Sequence, residues 1–226
     1  MTLSLNWKIP GFINALLWLL TLLTGYITTR TFCIFGLPVD CKFFSVRDHL
    51  ICAGNLFCLG FFLGWLTGVY SNPRFLKIPW MMTFLLTLPI FSAASEISIL
   101  DRSVESDEEL PLSFKIALLG IACVVFILVA WHYVHSMHIL SANAFRRFWI
   151  SRFIGISTIA GIFFLAEIGD FPRIHLHHYF LAFTISSIAA FDHPISSTML
   201  AVCTGIFVQG VAAYSADNIV KPGNLN

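Results

Sequence analysis

Seven long, nearly uncharged runs divide this chain, at roughly 11–29, 49–70, 79–100, 113–134, 150–169, 174–191 and 194–214. A hydrocarbon layer of about 30 Å needs about 20 helical residues to cross it, and lipid offers no partner for an unpaired backbone amide. Such runs therefore predict membrane-spanning helices. Composition agrees, since only 11% of the residues are charged where a soluble domain carries about 25%. The expected fold is all-α, a single integral membrane domain over 1–226 with seven spans and no soluble domain. The sixth run is the weakest, because it is short and opens on histidines. A six-helix alternative leaves 174–191 lying at the interface.

The first run, Gly11 to Thr29, exceeds the apolar core of about 7–15 residues found in signal peptides. It is predicted as a transmembrane helix with the role of a signal anchor. With seven spans, one side collects Lys8, Arg74, Lys77, Arg146, Arg147 and Arg152, with Asp192 as its acid. The other collects Arg30, Lys42, Arg47, Arg102, Lys115, Arg173 and Lys221 together with most of the acids, including the segment "DRSVESDEEL". The split in cations is nearly even. The compact "FRRFWISR" favours the first side, which holds the N-terminus, as the cytoplasmic or equivalent face. The net charge of +1 is uninformative, but the lack of a basic stripe argues against nucleic-acid binding. The expected partners are the lipid bilayer and other membrane proteins.

Cys33 and Cys41 fall in the first loop, "RTFCIFGLPVDCKFF", with Gly36 and Pro38 as turn formers between them. That loop lies on the side read as non-cytoplasmic, where disulfides persist. A short-loop disulfide is one reading and two reduced loop cysteines the other. Gly60, Gly64 and Gly68 repeat every four residues in the second run, which predicts a face for close helix packing. Pro89 is expected to kink the third helix. Asp192, just ahead of Pro194, is placed to cap the last one.

Two histidine sets carry the chemical leads. In "RIHLHHYFLAF", His175 and His178 share a helical face and His177 points elsewhere. The triplet can act together only if its first residues are not helical. Glu167, Asp170 and Asp217 fall at the same membrane level, with Glu96 nearby. Imidazole nitrogens and carboxylate oxygens are the ligand types of zinc with an open water position. Ionisable groups in a span are costly and for that reason functional suspects. Interfacial anchoring by histidine is the plainer reading. In "WHYVHSMHIL", His132, His135 and His138 form a drifting stripe near a helix C-terminus, where cationic groups suit the dipole. A haem ligand, or a phosphate contact shared with Arg146 and Arg147, is the chemical alternative. Zinc is thus the first cofactor to test and haem the second.

No nucleophile elbow, phosphate loop, dinucleotide fingerprint or zinc-protease motif is present. The block from 174 to 220, with His175, His177, His178, the small-residue "TGIFVQG" and Asp217, resembles a C-terminal block of multi-pass membrane proteins of fungi and protists, LCCL-associated in some fungi. Relatives often carry Trp-Gly before the acid, where this chain has Ser215 and Ala216. The resemblance implies membrane topology and a paired histidine–acid motif, and no reaction.

Three classes of function follow from the residues. The favoured one is a structural or accessory component of a membrane assembly, with Gly60, Gly64 and Gly68 facing a partner helix. A membrane-embedded metal-dependent enzyme acting on a lipid-like substrate would lose its metal with His175 or His178. A small transporter would depend on Glu96 or Glu167, and a haem-binding redox protein on the His132 stripe.

Overall fold

Among the described residues, four helices are long and apolar enough to cross a membrane. The computed structural model describes residues 11–38, 41, 43–94, 112–168 and 178–214, leaving out the side chains at 114, 156, 158–168 and 178–180. The described residues form α1 (Gly11–Ile34), α2 (Val46–Thr67), α3 (Ile78–Ala94), α4 (Leu112–Ile139), α5 (Ala142–Ile168), α6 (His178–Ser186) and α7 (Pro194–Tyr214). A single 3-10 turn, Arg74–Leu76, lies between α2 and α3, and the described residues contain no strand. The four long apolar segments are α1, α2, Lys115–Ile139 of α4, and α7, while α3 is a shorter apolar helix. All-helical architecture is as expected, whereas seven complete spans are more than these lengths support. The described part of α6 has 9 residues and is about 13 Å long at about 1.5 Å per residue.

Local chemistry sets several helix ends. Ser45 and Asp48 form a reciprocal capping box at the start of α2, with the Ser45 amide donating to Asp48 Oδ2 at 2.8 Å. These bonds meet two amides that a helix N-terminus leaves open. At the other end Gly68 takes a φ of 71° and its amide donates to the Trp65 carbonyl at 3.2 Å. Only glycine enters this left-handed region without steric cost. The second run therefore stops at Thr67, not at residue 70. Four hydroxyls inside the apolar α1 are absorbed by its own backbone. Thr21, Thr24, Thr28 and Thr31 each donate to the carbonyl four residues back, at 2.8 to 2.9 Å, a bond that lets a polar side chain sit in an apolar helix.

The core forms where α7 packs on α1, α3 and α6, with α2 behind α1. Phe84 of α3 occupies the centre. A Cβ on Gly25 of α1 would lie 2.5 Å from Phe84 Cζ, and one on Gly205 of α7 would lie 2.8 Å from the Thr87 side chain and 3.3 Å from the Phe84 carbonyl oxygen. These glycines let three helices approach closely at one level. Trp18 stands edge-on to Phe75 at 5.3 Å and donates its indole N–H to the Gly60 carbonyl at 2.7 Å. Pro89 sits inside α3, which runs on to Ala94. By contrast only 6% of the apolar segment of α4 is buried among the described residues.

Candidate functional site

The densest polar constellation among the described residues surrounds the turn between α6 and α7. Arg74 leaves the 3-10 turn and is 1% exposed. Its guanidinium donates to the carbonyls of Thr67 (3.0 Å), Ala189 and Phe191. Arg152 of α5 donates to Leu66 O at 2.6 Å and Ser187 O at 3.3 Å, and lies 3.9 Å over the Phe148 ring. At another level Arg30 donates to Ala212 O at 3.1 Å. All three arginines thus meet carbonyls in or just past the last turn of a helix. Of these, Leu66, Thr67 and Ala212 lie in the last turn of a helix, where carbonyls lack intrahelical partners and carry the negative end of the dipole, while Ser187, Ala189 and Phe191 belong to the turn after α6. A guanidinium with five fixed donors suits them better than an ammonium would. Burial pushes Arg74 down to about 10, with Asp192 pulling it back up. Asp192 pairs with Lys77 at 2.9 Å, both side chains more than half exposed. Its hydrogen bonds to Lys77 and Asn72 hold its carboxyl below the usual carboxylate range.

These bonds revise two readings of the sequence. The sixth apolar run does not continue to residue 191, since α6 ends at Ser186 and the chain turns through Ser187–His193. The turn can sit inside the protein because Arg74 and Arg152 satisfy its carbonyls. Asp192 is engaged by Lys77. The α7 start is instead closed by His193, whose Nδ1 accepts from the Ile195 amide at 3.2 Å.

The end of α4 closes over this turn. The helix continues to Ile139, beyond the expected residue 134, so His132, His135 and His138 are all helical. They do not converge. His132 is fully buried, donates from Nδ1 to the Leu128 carbonyl at 2.7 Å, and keeps Nε2 without a partner. His135 stacks on Trp131 at 4.6 Å and stands 5.1 Å from the His193 ring. His138 is exposed. Trp149 of α5 donates to Ser136 Oγ at 2.8 Å. The histidine nearest His135 in ring contact is therefore His193, fifty-eight positions away in the chain.

Among the described residues, no group of three or more His, Cys, Asp or Glu is placed to hold a metal ion. The expected zinc set lies largely outside the described residues. This holds for His175, His177, Asp170 and Asp217, and for the side chains of His178 and Glu167; Glu96 is outside them as well. A recess of about 40 Å³ between α2, α5 and α6 is lined by Phe62, Leu66, Arg152, Phe183 and Ser187. It suits a few waters, whereas pockets for small-molecule ligands run to about 300–1,000 Å³.

Cys33 and Cys41 are joined, with Cα atoms 5.7 Å apart. The three glycines of α2 have separate surroundings. Gly60 faces Leu22, where a Cβ would come within 2.1 Å, and Gly64 faces the Tyr70 ring at 2.7 Å. Gly68 is the C-cap, with nothing near it. Gly60 and Gly64 are thus covered by this chain itself, not left open for a partner helix. The segment "TGIFVQG" lies in α7, where Gly205 meets Thr87 and Gln209 donates to Ser92 Oγ at 3.3 Å. No family model, curated protein or solved structure matches this chain.

Proposed function

We propose that this chain is an integral membrane protein, its N-terminal side cytoplasmic, that serves as a structural or accessory component of a membrane assembly. The observation that carries the reading is α4. Only 6% of its apolar segment is buried, and Leu119, Ile121, Val124, Phe126 and Ile127 are all exposed. With Leu118, also exposed, these positions surround the helix at 100° per residue. Lipid covers such a surface, but helices in a bilayer gain packing and lose exposed area by finding another helix.

The test is a photoreactive amino acid at Phe126 or Leu119 of the full chain in native membranes. A discrete protein adduct of constant mass at both positions is expected. Adducts with lipid alone would remove the support that α4 gives. Elemental analysis beside a His175/His177/His178→Ala variant supplies the competing outcome. Near-stoichiometric zinc or iron, lost in the variant, would replace this reading with a membrane metalloenzyme.

A further inference from the structure

The Cys33–Cys41 pair has a cation fixed against it. Arg30 and Cys33 are three residues apart in the last turns of α1, so they share a face. Gly36, at a φ of 76°, helps the chain turn back toward Cys41. Arg30 Nη1 then lies 3.4 Å from Cys41 Sγ and 4.0 Å from Cys33 Sγ. The guanidinium is held there by Ala212 O at 3.1 Å and by the Phe44 ring at 4.1 Å. Both cysteines are half-buried, so an external thiol has a way in.

We propose that Cys33–Cys41 is a redox-active disulfide that oxidises an external dithiol, with Arg30 stabilising the thiolate that leaves. The two sulfurs are not equivalent. Cys33 sits at the negative end of α1, which disfavours a thiolate there. Cys41 is nearer the guanidinium, and a neighbouring cation favours its thiolate. The attacking thiolate of the dithiol therefore bonds to Cys33 Sγ. The S–S bond breaks and its electron pair leaves on Cys41 Sγ. The second sulfur of the dithiol, deprotonated, then attacks its partner in the mixed disulfide, and Cys33 departs as a thiolate. Both protein thiolates take up the protons that the dithiol released. Two electrons and two protons have moved, and the dithiol is now a disulfide. The Ala213 carbonyl, 3.6 Å from Cys41 Sγ, can accept from the S–H that results. This inference is independent of the assembly role.

The experiment is reduction of the full-length oxidised chain, folded in detergent micelles, by excess dithiothreitol. Thiols are trapped at intervals and peptides mapped, which separates this pair from Cys52, Cys58, Cys123 and Cys203. Leaving-group stability controls the rate of exchange, so Arg30→Gln should slow reduction about tenfold and Arg30→Lys should recover part of the loss. Arg30 also caps α7, so its removal could loosen the fold. Loosening exposes the sulfurs and speeds reduction, which is the opposite sign. With glutathione as the probe, the transient adduct is expected on Cys33. Equal rates in wild type and Arg30→Gln, reduction only after denaturation, or an adduct on Cys41 would each overturn the proposal.

Discussion

Helices α4 and α7 are two apolar segments of similar length with opposite fates. In α7 72% of the apolar segment is buried inside the protein, and in α4 6% is. The more apolar of the two is the exposed one. Its sequence, "LLGIACVVFILVAW", is full of large side chains, whereas α7 reads "SSTMLAVCTGIFVQGVAA". In water the opposite order would hold, because burial follows apolarity. In a bilayer the lipid is as apolar as leucine, so the outward helix needs large apolar side chains and the inward helix needs small ones that fit. Ser196 and Gln209 can be fully buried in α7 because the Phe191 amide donates to Ser196 Oγ and Gln209 donates to Ser92 Oγ.

The sharpest break of this contrast is a matched pair of glycine substitutions. Gly205→Leu drives a side chain into Thr87 and the Phe84 backbone and should cost about 3 kcal/mol or more, the upper range for overpacking. Gly120→Leu on α4 meets nothing within 4 Å and should lie within about 0.5 kcal/mol of wild type. Thermal unfolding in detergent compares them, and equal losses would erase the distinction between the helices. Next in size is Arg74→Met. It leaves the Thr67, Ala189 and Phe191 carbonyls without their donor and should cost about 2–3 kcal/mol, read in the same assay. Trp149→Phe removes the bond to buried Ser136, the tie between α4 and α5, and should cost about 1 kcal/mol. That effect should appear as a looser α4, seen as faster hydrogen exchange of its backbone amides near Ser136, with the α7 core unchanged.

The smallest effect belongs to Lys77 and Asp192. As an exposed pair they should contribute below about 1 kcal/mol. The folded carboxyl of Asp192 titrates below its unfolded value. Its contribution is therefore present above the unfolded pKa near 4 and lost as pH falls through the folded one. Asp192→Asn should narrow the difference in melting temperature between pH 6 and pH 3. An unchanged difference would show that the carboxylate adds nothing to the turn.

Parts of this were legible in the residues. The apolar runs gave the helices, "GxxxG" pointed to close packing at Gly60, and the short Cys33–Cys41 spacing allowed the bridge. The end of α6 was not legible, because "SSIAAF" stays apolar across Ser187–Phe191 while the backbone leaves the helix. What permits that turn is Arg74, more than one hundred positions earlier. The ring contact of His135 with His193 is equally non-local. One local signal could have been read further. Arg74 and Arg152 flank apolar segments with no acid close in sequence, and a guanidinium so placed has backbone carbonyls as its natural acceptors.

Sequence by itself determined that the regular elements of the described part are helices and that several of them can cross a membrane. Backbone amides in an apolar run have to pair within their own segment, and that rule needs no knowledge of neighbours. Only the tertiary structure decided which helix is core, where α6 stops and what each arginine holds. Apolarity does not separate inside from outside when the surroundings are lipid. That separation comes from the fit of Gly25, Gly205 and Phe84, and from carbonyls and guanidiniums brought together across the chain.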